Sequence, residues 1–281
     1  MSEIIQNPWT RLRSFTSARL ALGRTGDSLP TNEVLEFSLA HAQARDAVHN
    51  ALDVESLANH LAASGFKSMT VQSAVRDRAE YLRRPDLGRE LNEASRSMLG
   101  GQLLHENCHF ERSAEREVEG SVVSTSQNRS GAAASNFDAV FIVADGLSAI
   151  APARHAVPVL REIAAQLEGW HIAPIIVATQ ARVALGDAIG ALLKAEMTIM
   201  FIGERPGLSS PDSLGIYLTF QPRIGCTDAD RNCISNVRPE GLGYEAAAHK
   251  LHHLMFAARA SGRSGVALKD ESVLRISATG H

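Results

Sequence analysis

The sequence predicts an α/β fold, with a doubly wound, Rossmann-like sheet domain preceded by a small helical N-terminal domain. Three observations point there. Short runs rich in β-branched and apolar residues recur in the second half of the chain: DAVFIVA (Asp138 to Ala144), APIIVA (Ala173 to Ala178), MTIMFI (Met197 to Ile202) and LGIYLTF (Leu214 to Phe220). Helical patterns separate most of them, as crossover connections in a parallel sheet require. The stretch from Trp9 to about Asn50 has helical periodicity instead. At 281 residues and 44% hydrophobic content the chain can bury a substantial core, and its length suggests about two domains. The expected division is a helical domain over residues 1–52 and an α/β domain over residues 53–281.

In the first domain Leu12, Phe15, Ala18, Leu20 and Leu22 give an apolar face before a GRTGDSLPT break ends the helix. A second helix follows. Thr31 or Asn32 can cap it, Glu33 and Glu36 suit the positive end of its dipole, and Leu35, Leu39 and Ala42 supply an apolar stripe. A helix through Leu57 and Leu61 then leads to Lys67 to Val71, where alternation predicts a short strand. Gly101 to Ser135 is polar and mixed in charge, and reads as a disordered surface insertion. Among the later strands, His155 to Trp170 and Ala184 to Ala195 are the expected crossover helices, and Tyr244 to Ser261 forms a long alanine-rich helix. Ligands of open α/β sheets bind beyond the carboxyl ends of the strands, which directs attention to the loops starting at Asp145, Gln180 and Gly203.

Charge and composition exclude several function classes. Lys plus Arg total 28 against 31 Asp plus Glu, a net charge of -3, so no long-range field draws in polyanions and nucleic acid is not an expected partner. The beginning, MSEIIQNPW, lacks the basic and apolar regions of a secretion signal, and no apolar stretch is long enough to span a bilayer; the expectation is a cytosolic chain with no membrane contact. Cys108, Cys226 and Cys233 are too few and too irregularly spaced for a disulfide framework or a four-cysteine zinc site. There is no G-x-G-x-x-G, no GxxxxGK[ST] and no G-x-S-x-G, which removes the simplest support for an autonomous nucleotide-binding enzyme or serine hydrolase.

Several motifs have both a plain and a functional reading. His105 to His109 matches H-E-x-x-H, but it opens the polar insertion and lacks the pattern of a buried helix, so solvated loop residues are the better account. His249 and His253 share a helix face at i,i+4 with His252 beside them and no evident third ligand, so no metal is assigned. Gly203-Glu204-Arg205-Pro206-Gly207 follows a strand directly; Glu204 is either half of an exposed pair with Arg205 or a carboxylate held beside a ligand. Asp145 either caps the next helix or faces the same cleft, and capping is the safer reading. Asp230 to Asn236 (DRNCISN) is dense in donors and acceptors and reads as a polar, ligand-binding loop, with Cys233 as a small buried apolar residue on its plainer interpretation.

Taken together, RLALGRTGDSLPT, YLRRPDLGREL, VADGLSA, ARVALGDAIG, IGERPGLSSPDSLGIYLTF, DRNCISNVRPEGLGYEAAAHKL and SGVALKD resemble the small-subunit family of ethanolamine ammonia-lyase. The resemblance covers nearly the whole chain outside Gly101 to Ser135. It implies a lyase that converts ethanolamine to acetaldehyde and ammonia by radical chemistry, with adenosylcobalamin at the interface between this chain and a catalytic (β/α)₈ large subunit. It implies cofactor contacts at Val183 in ARVALGD, Glu204 in IGERPG and Cys233 in DRNCISN, and no catalytic residue in this chain. The D-x-H-x-x-G signature of base-displaced cobalamin sites is absent, so the resemblance implies base-on binding. It also implies that the helical N-terminal domain docks on the large subunit. Residence is expected in the cytoplasm, either free or inside a bacterial microcompartment; the short N-terminus lacks the long tail that directs some relatives there. A scaffold that keeps the fold without the cofactor, and a self-sufficient α/β enzyme, are the rivals.

Overall fold

The computed structural model describes residues 8–16, 18–102 and 136–272. A 3₁₀ stretch (Pro8–Phe15) precedes helices α1 (Thr31–His49) and α2 (Val54–Ala63), strand β1 (Ser68–Gln72), and helices α3 (Arg78–Arg83) and α4 (Glu93–Gln102). Next come β2 (Phe137–Ala144), α5 (Ile150–Ala164), β3 (Ile175–Thr179), α6 (Leu185–Leu193), β4 (Ala195–Gly203), β5 (Leu214–Phe220), β6 (Arg231–Val237) and α7 (Tyr244–Ser261). Residues 103–135 of the expected insertion, with His105 to His109, lie outside the described residues.

The six strands form one sheet in the order β1-β3-β2-β4-β5-β6, with β1, β3, β2 and β4 parallel and β5 and β6 antiparallel. The α/β class is as expected. The sheet is mixed because residues 204–213 are too few for a crossover helix, so the strand after β4 must return alongside it. Alternation along β2 shows how both faces are covered. Ala139, Phe141 and Val143 join one core with α2, α5 and α7, while Val140, Ile142 and Ala144 join a second with α4 and α6.

Helix α1 departs from the sequence reading. Its N-cap is Pro30, with no side-chain cap from Thr31 or Asn32. Glu33 does lie in the first turn, as its suitability for the dipole implies, and it is buried there in an ion pair with Arg13 at 2.6 Å. The stripe of Leu35, Leu39 and Ala42 points outward, the two leucines being 63% and 60% exposed, so among the described residues it stays uncovered. Trp9 and Phe15 are also exposed.

Candidate functional site

The loops beyond β2, β3 and β4 meet above the carboxyl ends of those strands. The chain leaves β2 toward β3 on one side, while β4 lies on the other, so the loops diverge and a crevice opens between them. Asp145, the first residue after β2, is 1% exposed and does not cap α5, whose N-cap is Ala149. Its carboxylate instead accepts hydrogen bonds from the backbone amides of Gln180 (2.9 Å) and Ala181 (3.0 Å), and pairs with Arg78 at 3.3 Å. Burial pushes the Asp145 carboxyl up, opposed by the Ala181 amide and Arg78. The carboxylate therefore acts as a brace that fixes the β3 loop, in which Gln180 takes the left-handed φ of 55°.

The β2 and β4 loops interlock at two glycines. Gly146 has φ +54°, and a Cβ there would overlap the Gly203 carbonyl; the Leu147 amide donates to that same carbonyl at 2.9 Å. Only residues without side chains let the two backbones approach this closely.

The result is an open cleft of about 380 Å³, lined by Gly146, Leu147, Arg182, Val183, Glu204, Arg205 and Tyr217 among others. Val183 is half-buried and packs on the second core. Glu204 is not half of an exposed pair with Arg205. Its carboxylate accepts from the Ser213 hydroxyl and from the Asn236 amide at 3.3 Å, and it lies against Gly215, where a Cβ would come within 3.0 Å of Oε1. Asp212 anchors the same loop from the other side, pairing with Arg154 at 2.9 Å and with the buried His155 at 3.4 Å. Burial lowers the His155 pKa, with Asp212 opposing.

Cys233 is placed differently from the sequence reading. DRNCISN is not a loop: residues from Arg231 onward form β6, the edge strand, with Cys233 opposite Tyr217. Polar residues belong there because an edge strand turns much of its surface to water. Cys233 is an exposed residue, not a buried apolar one, and it does not itself line the cleft. Its thiol meets the side chain of Tyr217, a residue that does line it; burial pushes the thiol pKa up, and the hydrogen bond with Tyr217 opposes that shift. Val183 and Glu204 thus share the cleft, and Cys233 lies one side chain behind it.

Residue-level reasoning missed the wall supplied by α3. The Tyr81 ring is fully buried between two guanidinium groups, with Arg182 4.2 Å and Arg78 4.7 Å from its centre, and its hydroxyl donates to Ala181 O at 2.9 Å. Gly88 leaves room for the Arg182 stem, and its carbonyl accepts from the Arg182 amide. Tyr81 and Gly88 both belong to YLRRPDLGREL, a string with no chemical signature of its own. Elsewhere, no group of three or more His, Cys, Asp or Glu residues is placed to hold a metal ion among the described residues; His249, His252 and His253 lie on α7.

Comparison with known proteins gives a consistent set of matches. The family described as ethanolamine ammonia-lyase light chain (EutC) matches residues 6–111 and 116–269, the break falling inside the 101–135 stretch. An ethanolamine ammonia-lyase small subunit from Ralstonia nicotianae is 49% identical over 269 residues, covering 95% of this chain and 90% of the relative. One from Pseudomonas putida (strain GB-1) is 49% identical over 268 residues, covering 95% and 89%. One from Azotobacter vinelandii is 49% identical over 282 residues, covering 99% and 94%.

Proposed function

The chain belongs to the ethanolamine ammonia-lyase light-chain, or small-subunit, family, and on that footing we propose that it is the cofactor-clasping subunit of a hetero-oligomeric ammonia-lyase. The reaction is conversion of ethanolamine to acetaldehyde and ammonia, the cofactor is adenosylcobalamin bound base-on, and the partner is a separate (β/α)₈ large subunit that binds substrate. The observation that carries this reading is the joint lining of one cleft by Val183 and Glu204, which come from loops after different strands.

The residues present fit a corrin, which has apolar faces and a rim of amides. Val183 and Leu147 offer aliphatic contact. Hydrogen-bonding capacity is left over nearby, since Arg78 Nη2 and Gln180 Oε1 are buried without hydrogen-bond partners among the described residues. When bound, the cofactor supplies the cobalt–carbon bond that starts the radical chemistry. This chain's own groups position and shield. Glu204 is oriented by Ser213 and Asn236, Val183 and Leu147 exclude water, and the raised pKa of Cys233 keeps its thiol protonated and unreactive beside Tyr217. The outward-facing Leu35, Leu39, Trp9 and Phe15 support docking of the helical domain, residues 1–52, on the large subunit. No helix among the described residues is long and apolar enough to cross a membrane. The site of action is the cytoplasm, free or within a microcompartment.

The direct experiment measures ethanolamine deamination by this chain, by the large subunit, and by both together, each with adenosylcobalamin. Activity is expected only in the mixture. Activity of the isolated chain would move the chemistry here, and an inactive but assembled mixture would make the chain a scaffold. In the same complex Glu204→Ala should weaken cobalamin retention about tenfold, the loss of one charge-assisted hydrogen bond, while the melting temperature stays within a few degrees. Unchanged retention would remove Glu204 from the site.

A further inference from the structure

Arg182 and Arg205 both line the cleft, and neither forms an ion pair among the described residues. The one carboxylate that lines the cleft, Glu204, is engaged by Ser213 and Asn236. Arg182 is held by several contacts. Its guanidinium stacks on Tyr81, Nη2 donates to Tyr81 O at 3.3 Å, and its stem lies against Gly88. Arg205 is exposed and extends from the next loop. A guanidinium held by stacking, with no acid to neutralise it, is preorganised for an anion, and the planar fork suits phosphate oxygens.

Resting on the cobalamin reading above, we infer that Arg182, assisted by Arg205, is the anion subsite of this cleft and takes the phosphodiester that links the cofactor's lower nucleotide to its corrin side chain. That phosphodiester is the cofactor's one group with a full, localised negative charge. Arg182 is therefore a specificity-determining residue, selecting corrinoids that carry the phosphate over those that lack it.

The test uses the complex with the large subunit and compares binding of cobinamide, which has the corrin amides but no phosphate, with cobinamide phosphate, which has both. The wild type should prefer cobinamide phosphate about tenfold, the scale of one charge-assisted hydrogen bond. Arg182→Gln keeps most of the stem against Gly88 and should erase the preference while leaving cobinamide binding unchanged. Arg182→Lys should keep part of it. Arg205→Gln, at an exposed position that carries no fold risk, should reduce it. Adding inorganic phosphate to the cobinamide sample checks that the recognised anion is the tethered one: the preference should persist. Equal weakening of both corrinoids by Arg182→Gln would assign Arg182 to the corrin amides and overturn the inference, as would no change in either. Failure of the cobalamin reading looks different, because the wild-type complex would then bind neither corrinoid.

Discussion

Replacing Gly203 by alanine should lower stability by about 3 kcal/mol and, on the cobalamin reading proposed above, abolish cofactor retention by the complex. A Cβ at Gly203 would fall inside the van der Waals shell of Ser148 O and only 2.7 Å from Asp145 O. Both are backbone atoms of the loop after β2, so no side chain can rotate away to make room. Relief requires the β2 and β4 loops to separate, and those loops carry Gly146, Leu147, Glu204 and Arg205 of the cleft. Gly207→Ala is the matched control in the same loop. There the nearest atom is the Ser210 hydroxyl oxygen at 2.9 Å, the end of a movable side chain, so the cost should stay under about 1 kcal/mol. Urea unfolding of the three proteins gives the comparison. A Gly203→Ala protein as stable as the wild type would mean that the loops are not locked together.

That lock was only partly legible in the sequence. The strands with a continuous apolar run were read within two residues of their ends, and Leu214–Phe220 and Tyr244–Ser261 match the expected limits. Burial on both faces leaves so little freedom of residue type that local composition suffices. Strand β6 escaped because Asn232, Ser235 and Asn236 are the composition of a loop; only pairing with β5 makes them a strand. The loops at Asp145, Gln180 and Gly203 do lie together at one cleft, because position at a strand's carboxyl end is a topological property that element order reveals. It does not reveal what Asp145 does there. A helix cap is a local interaction, whereas its actual partners, Arg78, Gln180 and Ala181, are remote in sequence. The exposed stripe on α1 shows the complementary limit: periodicity marks an apolar face and leaves open whether this chain or a partner covers it.

The second large effect follows from that remote bracing. Asp145→Ala should cost about 3–5 kcal/mol, because it leaves the Arg78 guanidinium without its buried counterion and two backbone amides without acceptors. Asparagine is a poor substitute. One of its two terminal atoms is an NH₂ group, which would have to face Arg78 and the Gln180 amide, or else the Ala181 amide, and all of these are donors. If the cost is mainly that of a stranded charge, removing the charge should return some of it. Arg78→Met in the Asp145→Ala background should therefore recover about 1–2 kcal/mol, although Arg78→Met alone destabilises the wild type. Independent, additive losses in this cycle would show that Arg78 is held by its bonds to Val48 O and Gly146 O, not by Asp145. On the cobalamin reading proposed above, cofactor retention separates the structural effect from the functional one. The loop braced by Asp145 runs on into Arg182 and Val183, so the single variant should lose retention, and the double variant should stay deficient even as its stability returns, since neutralising Arg78 does nothing to tie down the Gln180 and Ala181 amides.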